Sequence, residues 1–194
     1  MKTYIAIDIG ASSGRLMKSE LIDGQLTLTE VHRFKNGFRM LDGFQRWDIN
    51  YLIQEIVVGL EKIKQNGIEH CYVGIDTWAV DYCLIDKDGT LLGDPIAYRD
   101  SRTKKAVEKF QKLMSLETLY EKTGIQIQSF NTIFQLLVEQ RELLEKTDKL
   151  LLIPDYLGYA FTNQAVTEKT NASTMQLLNP ANDTWDEELL DLVG

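Results

Sequence analysis

Residues 6–15 read AIDIGASSGR. An apolar run ends in Asp8. Gly10, Ala11, Ser12, Ser13 and Gly14 then make a small-residue turn, and Arg15 opens a second strand-like run. Two well-known phosphate turns begin this way. A dinucleotide-binding unit places a helix directly after its glycines. A P-loop needs a helix there too, and a Lys after its last Gly. Here Arg15-Leu16-Met17 follows as a strand, which excludes both. A tight hairpin remains, either a plain connection or a phosphate holder in another fold.

The neighbouring segments narrow the choice. Residues 3–9 (TYIAIDI) are nearly all apolar, which predicts a central strand. Residues 15–22 predict a second strand, and Asp23-Gly24 a two-residue hairpin turn. Residues 25–34 begin with the alternation of a half-buried third strand. Asn36, Gly37 and Gly43 read as loop breakers. Asp48 or Asn50 then caps a helix whose Ile49, Leu52, Ile53, Ile56, Leu60 and Ile63 share a face, ending at Gly67. Residues 71–77 (CYVGIDT) form a fourth strand after this helical crossover, 80–85 stay extended, and Asp88-Gly89 turns the chain into 90–93. Helices are expected over 103–114, 116–122 and 133–146. A short helix from Pro154 and Asp155 to Phe161 follows, and then one over 185–192 capped by Thr184. Three antiparallel strands, a helix and another strand are the order of the ribonuclease H-like core of actin, large chaperones and sugar kinases. The expected fold class is α/β: a mixed sheet opening with a three-strand antiparallel meander, with helices around it.

Composition limits the partners. The chain has 194 residues, 44% hydrophobic and 26% charged, enough for one large domain. Its formal net charge of -8 argues against nucleic acid and anionic membranes as partners. A small anion such as a nucleotide still binds where amides, cations or a metal ion offset its charge. Cys71 and Cys83 sit in apolar runs and read as buried, reduced thiols; His32 and His70 lack neighbours at metal-ligand spacing. The start of the chain shows neither a basic leader nor a long apolar run, so a cytoplasmic protein without a membrane span is expected.

Four stretches carry polar chemistry. In the opening turn, backbone N–H groups and the Ser12 and Ser13 hydroxyls suit phosphate oxygens, Arg15 supplies a cation, and Asp8 could orient water on a Mg²⁺ ion. In GIDTWAVDYCLID (74–86), Asp76 and Asp81 bracket Trp78 at a strand end, as a polyol pocket or as a buried Trp with capping carboxylates. AYRDSRT (97–103) holds Arg99, Asp100 and Arg102, which read as a solvated charge cluster at a helix start more readily than as an ion-pair knot or substrate gate. In IQSFNT (127–132), Phe130 could pack on a sugar face and Asn131 bond its hydroxyls, or either could cap the next helix.

Together these stretches resemble the N-terminal half of the FGGY family of carbohydrate kinases. The resemblance is carried by DIGASSGR at 8–15, GFQRWDI at 43–49, GIDTWAVDY at 74–82, AYRDSRT at 97–103, FNTIFQL at 130–136, PDYLGYAFT at 154–162 and TNASTMQL at 170–177. It is most similar to the members that phosphorylate L-rhamnulose at its 1-hydroxyl. The resemblance implies ATP and Mg²⁺ as cofactors, with Gly10, Ala11, Ser12, Ser13, Gly14 and Arg15 on the phosphates and Asp8 associated with the metal. It implies Trp78, Ala79, Asp81 and Asn131 on the sugar. Position 79 is usually Gly in that family, so the Ala79 methyl bears on sugar selectivity. Residues 1–194 then make up most of the sugar-binding first domain of a two-domain kinase, without the C-terminal actin-like domain. The general base is expected beyond Gly194, and the chain alone is expected to be inactive. The alternatives are another ketose or polyol kinase of the same family, or a non-catalytic actin-like sugar-sensing module.

Overall fold

The computed structural model describes residues 3–194; Met1 and Lys2, where no leader was expected, lie outside the described residues. The chain opens with β1 (Tyr4–Ile9), β2 (Ser13–Ile22) and β3 (Gln25–Lys35), a continuous antiparallel meander. Its second turn is Asp23-Gly24, both at positive φ (49° and 79°), the conformation a two-residue hairpin needs. The register slips between Leu16 and Met17, so the β2–β3 ribbon carries a bulge at Val31.

A second hairpin follows, β4 (Phe38–Leu41) and β5 (Phe44–Trp47). Here the structure corrects the expected loop. Asp42 and Gly43, at φ 52° and 81°, form another two-residue turn rather than an irregular break. The helix α1 (Ile49–Gln65) starts where Asp48 accepts the Tyr51 N–H, so Asp48 rather than Asn50 is the cap. α1 leads to β6 (Tyr72–Asp76), which runs parallel to β1 and completes a sheet of order β3-β2-β1-β6.

Strand β1 is central, but only one face is covered. Ile5, Ile7 and Ile9 are 1% exposed, while Tyr4 and Ala6 face outward. The covered face packs on Leu52, Ile56 and Ile63 of α1, together with Leu16 and Phe34. Gly59 lets α1 approach, because a Cβ there would stand 2.5 Å from a Leu16 methyl. His32 of β3 lies between Glu55 (2.6 Å) and Lys62 (2.8 Å) of α1, a strand residue in an interhelix–sheet bridge rather than a metal ligand.

The second half surrounds another core. β7 (Tyr82–Ile85) follows β6 in the chain; after it come α2 (Ala106–Phe110), α3 (Leu116–Thr123), α4 (Thr132–Leu137) and α5 (Arg141–Lys146). Next are β8 (Lys149–Leu152), which pairs antiparallel with β7, α6 (Ile153–Thr162) and α7 (Lys169–Ser173). The chain closes with the short pair β9 (Leu178–Asn179) and β10 (Thr184–Trp185), then α8 (Glu187–Val193). Phe110, Leu119, Ile133, Phe134, Leu177 and Leu189 centre this core.

Two predicted helices come out shorter. The segment 103–114 contains only a 3₁₀ turn (Ser101–Thr103) and α2, and 133–146 breaks into α4 and α5 around residues 138–140. The last helix is capped by Asp186, whose carboxylate accepts the Leu189 N–H, not by Thr184. Among the described residues, no helix is long and apolar enough to cross a membrane.

Candidate functional site

β1 and β6 are parallel neighbours, so the turn after β1 and the loop after β6 leave the same end of the sheet. Asp8 and Asp76, the last polar residues of the two strands, are register partners there.

The opening turn is held by its own backbone and by Asn36. Gly10 N–H donates to Ser13 O at 2.9 Å, Asn36 N–H to Ser12 O at 3.0 Å, and Asn36 Nδ2 to Gly10 O at 2.8 Å. Asp8 faces Arg15 across the β1–β2 ladder; Arg15 Nε donates to Asp8 Oδ2 at 2.8 Å, with both side chains about two-fifths exposed. Asp8, Gly10, Ser13, Arg15 and Arg33 surround a depression of about 260 Å³. Two guanidinium groups and a carboxylate beside backbone amides suit a phosphate chain with a bound cation. Gly14 has a different task. A Cβ there would lie 2.1 Å from Phe34 Cζ, so the missing side chain admits the Phe34 ring into the core. Among the described residues, no group of three or more His, Cys, Asp or Glu side chains could hold a metal ion. Asp8 would therefore supply one oxygen, with phosphate and water completing the shell.

The loop after β6 is tightly wound. Asp81 N–H donates to Ala79 O at 2.9 Å, closing a three-residue turn around Val80 at φ 66°. A β-branched residue at positive φ is a true outlier, worth about 1–3 kcal/mol of strain. Two side chains from α4 clamp the Val80 carbonyl: Thr132 Oγ1 donates at 2.7 Å and Gln135 Nε2 at 3.3 Å.

Asp81 is fully buried and gathers four N–H donors. Its Oδ2 accepts from Trp47 Nε1 (2.6 Å), Trp78 Nε1 (2.9 Å) and Tyr98 N (3.0 Å), and its Oδ1 from Gln135 Nε2 (3.0 Å). Burial pushes its carboxyl up to about 6, while these four N–H groups pull the other way. Shared bonding to Asp81 brings the indoles of Trp47 and Trp78 together, ring centres 4.1 Å apart and planes inclined by 37°. Tyr98 lies 6.5 Å from Trp47 and 5.8 Å from Phe130, which extends the aromatic wall.

Arg102 departs from the solvated cluster expected of 97–103. Its side chain is 8% exposed and pairs at 2.7 Å with Glu139, itself 5% exposed. It also reaches Gln135 Oε1 (3.0 Å) and Tyr82 Oη (3.3 Å). Burial raises the Glu139 carboxyl, but the Arg102 guanidinium more than offsets this and holds it below its ordinary value. Burial pushes the Tyr82 hydroxyl well above its usual range. Asp100 accepts from Arg102 N and Gln45 N, both at 2.8 Å, and only Arg99 of the three stays exposed.

Asn131 also points inward. It is 3% exposed, and its Nδ2 donates to Gln126 O (2.9 Å) and Gln176 Oε1 (2.7 Å); it makes no side-chain cap on α4. Trp78, Asp81 and the Phe130 backbone thus meet around Gln135, with Asn131 beside them, and the 8–15 turn forms a separate patch at the same sheet end. Ala79 lies with Asp76 and Thr77 on a groove of about 700 Å³ bounded by α6 and α7. On its wall Asp155 is 8% exposed; its Oδ1 accepts from Glu168 N, while its Oδ2 is buried without a hydrogen-bond partner among the described residues. Burial raises that carboxyl. Trp47, Gln135, Glu139, Asn36 and Asp155 were not given a functional role from the sequence. Each has a partner at least 13 residues away, which local pattern does not disclose.

Comparison with known proteins agrees with this geometry. The model of the FGGY family of carbohydrate kinases, N-terminal domain, matches residues 3–194. The chain is 61% identical to the rhamnulokinase of Enterococcus faecalis over 194 residues, all of this chain and 39% of that protein. It is 57% identical to the rhamnulokinase of Lactiplantibacillus plantarum, over 100% of this chain and 40% of that one. It therefore spans about two-fifths of the length of the curated relatives it matches. In fold it is similar to a ligand-bound xylulose kinase from Lactobacillus acidophilus (TM-score 0.86, 22% identity, 100% of this chain and 40% of that one). It is likewise similar to the Plasmodium falciparum glycerol kinase with ADP (TM-score 0.80, 20% identity, 100% and 41%). A mixed sheet led by an antiparallel meander, and a family model that covers nearly every residue, place this chain in the FGGY family of carbohydrate kinases.

Proposed function

We propose that these residues form most of the sugar-binding first domain of a two-domain kinase that transfers the γ-phosphoryl group of ATP to the 1-hydroxyl of L-rhamnulose. The observation that carries the reading is the adjacency, at one sheet end, of an anion-suited turn and an aromatic, carboxylate-centred loop. Identity of 61% to a rhamnulokinase supports the choice of sugar.

In this reading the Ala11 and Ser12 amides, the serine hydroxyls and Arg15 bind phosphate oxygens. Asp8, released from Arg15, would help to hold Mg²⁺, which when bound would supply neutralisation of phosphate charge. Trp78 and Ala79 offer the sugar an apolar face. Asp81 is buried with both oxygens engaged, and buried Asn131 has its Nδ2 engaged by Gln126 O and Gln176 Oε1, so they support that face from behind. The general base is expected beyond Gly194, at the end of this same first domain, and the closure that excludes water needs the second domain of the whole enzyme. Phosphoryl transfer rests on positioning and charge stabilisation, so the 194-residue chain alone gives no turnover.

A substrate panel on a full-length enzyme carrying this domain tests the reading. L-rhamnulose should have the highest kcat/KM. Phosphorylation of D-xylulose or glycerol without L-rhamnulose would assign the domain to another kinase of the family. Sugar binding without any phosphorylation would point to a sensing module.

A further inference from the structure

Gln135, the glutamine of the FNTIFQL stretch, has no role in the chemistry proposed above. It is 1% exposed, in the middle of α4. Its Nε2 faces three acceptors: Phe130 O at 2.9 Å, Asp81 Oδ1 at 3.0 Å and Val80 O at 3.3 Å. Its Oε1 accepts from Arg102 Nη2 at 3.0 Å. A carbonyl oxygen only accepts and a guanidinium only donates. The amide therefore has one permitted orientation. Arg102 is itself immobilised by Glu139, whose Oε2 also accepts from Tyr82 Oη at 2.7 Å.

The target of these bonds is the strained turn. Val80 sits at φ 66°, and such a conformation persists only where its surroundings over-determine it. Gln135 grips that turn at its carbonyl and at the next carboxylate, and the same carboxylate fixes the Trp78 indole. Through Phe130 O it also ties down the loop that carries the facing aromatic ring.

We propose that Gln135 is a positioning residue for the sugar wall: it holds the Ala79–Val80–Asp81 turn in its left-handed form and so sets the face that Trp78 and Ala79 present. The proposal rests on the sugar-kinase reading for its ligand, but not for its geometry. The Gln135→Met substitution keeps the volume of the side chain and removes every one of these hydrogen bonds.

Two measurements test it. In the 194-residue chain with Trp185→Phe, emission comes from Trp47 and Trp78 alone; Gln135→Met should shift it to the red and weaken the near-ultraviolet dichroism of the two neighbouring indoles. In the full-length enzyme the same substitution should raise KM for L-rhamnulose about tenfold, with kcat and KM for ATP nearly unchanged. A purely structural residue would instead lower the active fraction, and with it kcat, at constant KM. Unchanged emission in a cooperatively folded Gln135→Met chain, or a fall in kcat alone, would overturn the proposal. If Gln135→Met fails to fold, Arg102→Lys decides by the same readouts, because it keeps a cation near Glu139 but gives up the fork that reaches Gln135. If the unsubstituted enzyme does not phosphorylate L-rhamnulose, the choice of sugar fails, and the emission measurement still decides the role of Gln135.

Discussion

Trp47 Nε1 donates to Asp81 Oδ2 at 2.6 Å, which pins the β4–β5 hairpin to the loop that leaves β6. The acceptor is a carboxylate with no cation in direct contact, surrounded by four neutral N–H donors. Such a group is held in place by hydrogen bonds while burial works against its charge.

That balance sets a pH dependence. Burial raises the Asp81 carboxyl from 3.8 to about 6 in the folded chain. The native state therefore holds the proton over a range in which the unfolded chain has lost it. Asp81 then contributes stability that is fully present below about pH 4 and is lost as pH rises through about 6, about 3 kcal/mol in all. Urea unfolding of the 194-residue chain between pH 4 and pH 7 should show this decline, and Asp81→Asn should flatten it. Equal slopes for the two proteins would mean that Asp81 is not the group responsible.

The buried Arg102–Glu139 pair predicts an asymmetric mutational response. Glu139→Leu leaves the guanidinium without its carboxylate in a closed site and should cost about 3–5 kcal/mol. The double substitution Glu139→Leu with Arg102→Met removes both charges and should recover much of that loss. Denaturant midpoints of the two variants check it; a double variant as unstable as the single one would contradict the account.

Gly14 predicts a steric effect inside the turn. Gly14→Ala puts a methyl into the Phe34 ring, so the core must shift, at about 1–3 kcal/mol. Adding Phe34→Leu should restore most of the stability. Thermal melts of the single and double variants separate this from a ligand role, since neither needs nucleotide present.

The partnerless oxygen of Asp155 predicts a gain. Asp155→Asn keeps an oxygen for Glu168 N and removes the buried charge, so the isolated chain should be at least as stable at neutral pH and less sensitive to pH. A clear loss of stability at pH 7 would show that the ionised form is held by a group outside the contacts described.

Much of the fold is legible where signals are local. Asp23-Gly24 and the strand alternation around it predict the meander, and the apolar face of 49–63 predicts α1. The β4–β5 hairpin was hidden because Asn36, Gly37 and Gly43 read as breakers, although Asp42-Gly43 is the same turn chemistry as Asp23-Gly24. The helix expected over 133–146 divides because α4 is buried nearly throughout whereas α5 has no buried residue; one amphipathic rod could not serve both settings.

The site divides in the same way. Asp8 and Arg15 face each other along a ladder that the hairpin register dictates, and Trp78 and Asp81 are near neighbours in sequence. Trp47 and Gln135 reach Asp81 from 34 and 54 residues away, so their part depends on tertiary packing. Arg102 read as a surface charge because nothing close to it in sequence shows that Glu139 and Gln135 will enclose it.

The central claim is that this domain selects L-rhamnulose for phosphorylation, and its most direct test is the initial rate of ADP release by a full-length enzyme carrying it, with L-rhamnulose, D-xylulose and glycerol compared at equal ATP and Mg²⁺. The account predicts the highest kcat/KM for L-rhamnulose; ADP release driven by D-xylulose or glycerol but not by L-rhamnulose would contradict it.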